Sequence, residues 1–120
     1  MTQFADVKKV LDGIIAGWTA GNGGAPDLTG KHGAKFLLDT RENLMAAEAL
    51  GNRLIQDDVI GRNGMGKTAN IVIALTDPNG VNGFGQMPLG GLDSINGQFL
   101  SLESPEVKVL IDWIEGGCLP

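Results

Sequence analysis

The chain has 120 residues, 42% of them hydrophobic and 19% charged, with nine Lys and Arg against fourteen Asp and Glu for a formal charge of −5. That length buries one ordinary core rather than two, so a single domain over residues 1–120 is expected, and the balance of apolar and charged residues excludes bulk disorder. An acidic surface repels phosphate backbones and anionic lipid, which argues against nucleic acid as a partner, and no apolar run is long enough to span a bilayer. The single cysteine, Cys118, rules out an internal disulfide framework and any multi-cysteine metal site. Nineteen glycines, no tyrosine and six aromatics (two Trp, four Phe) predict long turns around a small aromatic core. No basic-then-apolar leader opens the sequence.

In chain order, Phe4, Val7, Val10, Leu11, Ile14, Ile15 and Trp18 recur at helical spacing, with Thr2 as the expected N-cap and Gly21 as the stop. Residues 20–35 read as a glycine-rich loop. A short apolar Phe36-Leu37-Leu38 follows, and Asp39 or Thr40 is placed to cap a helix from Arg41 to about Leu50, closed by Gly51. Lys67 to Thr76 is an apolar run of helix length that Asp77-Pro78-Asn79-Gly80 stops; a buried strand over Ile71–Leu75 is the alternative. Residues 78–100 form a long loop. The last helix is the clearest: Ser104 as cap, Pro105 in the first turn, Glu106 at the positive end of the dipole, a stripe of Val107, Leu110, Ile111 and Ile114, and Gly116-Gly117 as terminator.

Gly61-Arg62-Asn63-Gly64-Met65-Gly66-Lys67-Thr68 fits G-x-x-x-x-G-K-[ST]. In a phosphate loop the backbone of Gly61 and Gly66 would help cradle the phosphates, Lys67 would reach the terminal ones and Thr68 would ligate Mg²⁺. The context argues for a plain glycine turn instead. Gln56-Asp57-Asp58-Val59-Ile60 offers only two apolar residues where a buried strand is needed, and too few residues follow Thr68 for the remaining strand–helix units. Asp57-Asp58 reads as a solvated face. Asp77-x-Asn79-x-x-Asn82 lacks the spacing of a calcium loop and reads as a turn.

The C-terminal third carries Met87-Pro88-Leu89-Gly90-Gly91, a spacer, and then Ser104-x-Glu106-x3-Leu110-x2-Trp113-Ile114-x-x-Gly117. With Phe36-Leu37-Leu38-Asp39-Thr40-Arg41 in the middle and Val7-x-x-Val10-Leu11-Asp12 at the start, this resembles small bacterial class I cytochrome c domains, especially those of the planctomycete type. The resemblance implies an all-α fold of three to four helices with long Gly-rich loops, in which the N- and C-terminal helices cross, and a periplasmic setting. It also implies a Cys-x-x-Cys-His haem-attachment signature. Ile15-Ala16-Gly17-Trp18-Thr19 stands there instead; a second alignment, Leu28-Thr29-Gly30-Lys31-His32, keeps the histidine but neither cysteine. Covalent haem attachment is then impossible, because no sulfur is present to add to the vinyl groups.

A haem-sized site of about 400 Å³ left empty would cost on the order of 10 kcal/mol, as much as a whole domain's stability. The former cofactor cleft is therefore expected to be filled, with Ile15, Trp18, Thr19, Phe36, Phe84, Met87 and Pro88 around it and Ile14 and Leu89 adding bulk. His32 and Met87 are the haem ligands if the cofactor is held non-covalently; otherwise His32 is a turn residue and Met87 a core filler. Gly13 and Gly17 are expected where the terminal helices cross, facing Trp113, so that leucine at either would unfold the domain. Cys118 reads as a bystander, with an intermolecular disulfide, and hence a homodimer, as its minor fate. The function expected is a haem-free binding or interaction module without catalysis of its own, taking a protein partner or small ligand at the cleft. The alternatives are electron transfer through non-covalent haem and nucleotide binding through Gly61–Thr68.

Overall fold

A computed structural model describes residues 2–22, 33–81 and 100–120. The first helix, α1, spans Phe4–Asn22. Its start is fixed by Asp6, whose carboxylate accepts the Gln3 N–H at 2.9 Å, one half of a capping box; Thr2, the expected cap, lies a residue too early. The helical period puts Val7, Leu11 and Ile14 on one buried face with Phe4 and Val10 at its margin, and leaves a Lys8–Asp12 ion pair of 2.8 Å on the outside.

The second helix, α2 (Arg41–Ala46), is capped by Thr40, whose hydroxyl accepts the Asn43 N–H at 3.0 Å. It stops well before Leu50. Ala47 is already extended, and β1 (Glu48–Ala49) turns back antiparallel on β2 (Asn52–Arg53), pairing Glu48 with Arg53 and Ala49 with Asn52. Leu50 and Gly51 make the turn with φ of +52° and +85°, the left-handed pair that matches strand twist. Gly51 thus closes a hairpin rather than a helix.

Leu54, Ile55 and Val59 drop into the core, Val59 from a 3₁₀ turn at Asp57–Val59. A second 3₁₀ turn, Gly66–Thr68, precedes α3 (Asn70–Thr76). The expected helix from Lys67 is therefore split at Ala69, which is extended, while Ile71–Leu75 is helical and not a strand. Its Ala69 cap has no side-chain acceptor to offer, so Gln56 reaches across: Oε1 accepts the Asn70 N–H at 2.9 Å and Nε2 donates to the Thr68 carbonyl at 2.7 Å. Asp77 ends α3 by accepting the Asn79 N–H through its side chain and the Gly80 N–H through its carbonyl.

The last helix, α4, is Pro105–Glu115. Proline sits in its first turn as expected. Ser104 occupies the cap position, but its hydroxyl is turned away and accepts the Ser101 N–H at 2.9 Å, so no serine caps this helix through its side chain. Val107, Leu110, Trp113 and Ile114 are buried in one cluster with Val7, Leu11 and Ile14 of α1, with Leu44 of α2, and with Ile71, Val72 and Leu75 of α3. The Phe4 and Trp113 rings meet with centroids 6.0 Å apart and planes at 51°. The terminal helices thus pack together through large side chains. Gly13 is exposed on the opposite side of α1, where an added Cβ meets nothing within 4 Å, so it is not the point of contact expected from the sequence.

Candidate functional site

The glycine turn that matches a phosphate loop lies against the end of α4. The Gly61 N–H donates to the Ile114 carbonyl at 2.8 Å, and the Gly66 N–H donates to Glu115 Oε2 at 3.0 Å. The donor that a phosphate would need is thereby held by an internal carboxylate, whose negative charge repels a second anion. The Thr68 hydroxyl donates to the Met65 carbonyl at 2.7 Å, and Lys67 is exposed. No strand enters the turn, only the 3₁₀ segment Asp57–Val59. Gly61, Gly66, Lys67 and Thr68 therefore do not form a phosphate cradle. The glycines serve packing instead: a Cβ on Gly66 would sit 3.0 Å from Glu115 Cγ and from Ile111 Cγ2, and Gly61 has φ of +71°.

Of the expected cleft residues, Ile15 and Thr19 are half-buried on α1, and the Thr19 hydroxyl donates back to the Ile15 carbonyl at 2.7 Å. Phe36 is half-buried and packs against the core cluster. The Trp18 side chain, His32, Phe84, Met87 and Pro88 lie outside the described residues, and with them both expected haem ligands.

A groove of about 700 Å³ opens elsewhere, between the segment after Gly33, α2 and the hairpin. Leu37, Met45 and Ala46 give it an apolar lining, and Lys35, Arg41 and Arg53 stand around it. Each cation has an anionic neighbour: Lys35 and Glu48 at 3.4 Å, Arg41 and Glu42 at 3.8 Å, Arg53 and Asp57 at 3.1 Å. The arginines also reach main chain. Arg41 Nε donates to the Cys118 carbonyl at 2.6 Å, and Arg53 Nη2 to the Met45 carbonyl at 2.6 Å. Sequence reasoning missed these roles, because a guanidinium that binds a carbonyl 77 residues away leaves no local pattern.

Cys118 is no bystander. Its side chain is fully buried in the core cluster, and its backbone is left-handed with φ of +56°. The Gly117 N–H donates to the Ile114 carbonyl and the Cys118 N–H to the Trp113 carbonyl at 2.9 Å, the paired bonds of a left-handed helix stop. Burial pushes the thiol up to about 11, against a smaller opposing pull from Arg41. In this conformation the thiol is not presented to a second chain. Among the described residues no group of three or more His, Cys, Asp and Glu is placed to hold a metal, and no helix is long and apolar enough to cross a membrane.

Comparison with known proteins places the chain nowhere: no family model, no curated protein and no solved structure matches it.

Proposed function

We propose that this chain is a haem-free, cytochrome c-like binding module with no catalysis of its own, engaging a protein partner or a small ligand in a periplasmic setting. The observation that carries the reading is the packing of α1 on α4, in which the Phe4 ring meets Trp113 within one apolar cluster. That is the core a helical domain needs if it is to stand without a porphyrin. The chain's one sulfhydryl adds support from the other side: it lies after the last helix, where it cannot take part in thioether attachment. The internal carboxylate on Gly66 disfavours the nucleotide reading.

Thermal unfolding separates the readings. A ligand at about 100 times its Kd adds about 2.7 kcal/mol to stability. The module is expected to melt at the same temperature with and without hemin, and with and without Mg-ATP. A rise with hemin would replace the proposal with non-covalent electron transfer, and a rise with Mg-ATP would replace it with nucleotide binding.

A further inference from the structure

We infer that the segment Gly116–Pro120 is a strap, held by the backbone bonds of the left-handed stop and by two side chains, that withholds the chain's only thiol, and that Arg41 is its release point. The strap begins at the left-handed stop after α4, with Gly117 at φ of +98° and Cys118 at +56°. A cysteine in that conformation stays there only if the surroundings hold it. Two side chains from outside the strap do so. The Trp113 indole N–H donates to the Leu119 carbonyl at 2.7 Å, and the Arg41 guanidinium donates to the Cys118 carbonyl at 2.6 Å. Between them the Cys118 side chain is fully buried in the core.

The two holding points differ. Trp113 is itself fully buried, so its bond is lost only if the core is disturbed. Arg41 is about 30% exposed, lines the open groove, and is at the same time 3.8 Å from Glu42 through Nη1. Its bond to Cys118 can break while the helices stay packed. Breaking it leaves the cysteine held on its backbone side only by its N–H bond to the Trp113 carbonyl, and lowers the cost of a local opening in which that bond also yields and the thiol swings out, separate from unfolding of the domain.

An aromatic disulfide reports this opening. The Cys118 thiolate attacks one of its sulfurs, a mixed disulfide forms, one aromatic thiolate leaves, and the Cys118 proton goes to solvent. Labelling of the wild-type chain is expected to change little with urea below the unfolding transition, because a strap exposes little surface on opening. Arg41→Ala is expected to label about tenfold faster, Arg41→Lys in between, and Lys8→Ala at the wild-type rate, with unfolding midpoints read in parallel. Trp113→Phe, which keeps the ring but loses the N–H, tests the second point and is also expected to label faster. Wild-type labelling that follows urea with the full slope of global unfolding would overturn the strap. Labelling of Arg41→Ala at the wild-type rate would overturn Arg41 as its release point.

Discussion

Gly66 and Gly13 show how little a glycine's place in a motif says about its task. A methyl group on Gly66 would press on Glu115 and Ile111 at 3.0 Å, whereas Gly13 faces open solvent in the middle of α1. Gly66→Ala should therefore cost about 1–3 kcal/mol through overpacking. Gly13→Ala should raise stability by up to about 1 kcal/mol through helix propensity; urea unfolding of the pair checks both signs. Cys118 makes a second residue-scale prediction. Its thiol, pushed up to about 11 from the usual value near 9, binds its proton more tightly folded than unfolded. The stability it contributes is whole below about pH 9 and is lost as pH rises through about 11. Unfolding midpoints measured from neutral to alkaline pH should fall across that window in the wild type and fall less in Cys118→Ala. The sequence placed Cys118 beside two glycines and so suggested a loose end. The same glycines set the left-handed stop that folds the cysteine inward, which only the neighbours Trp113 and Arg41 reveal.

At the scale of elements, the clear helix signals were those with a long apolar period, although α1 runs on through Gly21, its expected stop, to Asn22. α1 and α4 follow their apolar spacing, and Gly116-Gly117 ends α4 as expected. The middle of the chain was harder to read because short elements are set by partners rather than by pattern. The hairpin over Glu48–Arg53 has strands of two residues each, too short for any alternation to show. Its turn places Leu50, 54% exposed, in a left-handed conformation that suits asparagine better. Leu50→Asn should therefore stabilise the chain by about 0.5–1 kcal/mol in thermal or urea unfolding. The start of α3 shows the same limit. Its cap is the side chain of Gln56, 14 residues upstream of Asn70, which no capping rule read along the sequence would find. Gln56→Leu removes the acceptor for Asn70 and the donor to Thr68 together. A loss of about 1–2 kcal/mol is expected, with early amide exchange at the first turn of α3 as its signature.

For the whole molecule, the parts that the sequence made legible are the two long helices. The packing partner of each was legible too, since a short chain with two apolar stripes has little else to bury them on. The detail of that contact was not. It includes the Phe4 and Trp113 rings, while Gly13 of α1 faces solvent. The phosphate-loop pattern misled for a physical reason as well: glycines that allow a backbone to approach a phosphate equally allow it to approach the end of a helix, and here Glu115 fills the anion's place. The proposal that joins these observations is a helical domain that holds no haem. The absorption spectrum of the purified chain, before and after one equivalent of hemin, tests that claim most directly. The account predicts a colourless protein and added hemin that keeps its free spectrum. A Soret band in the purified protein, or a shifted band that saturates at one haem per chain, would contradict it.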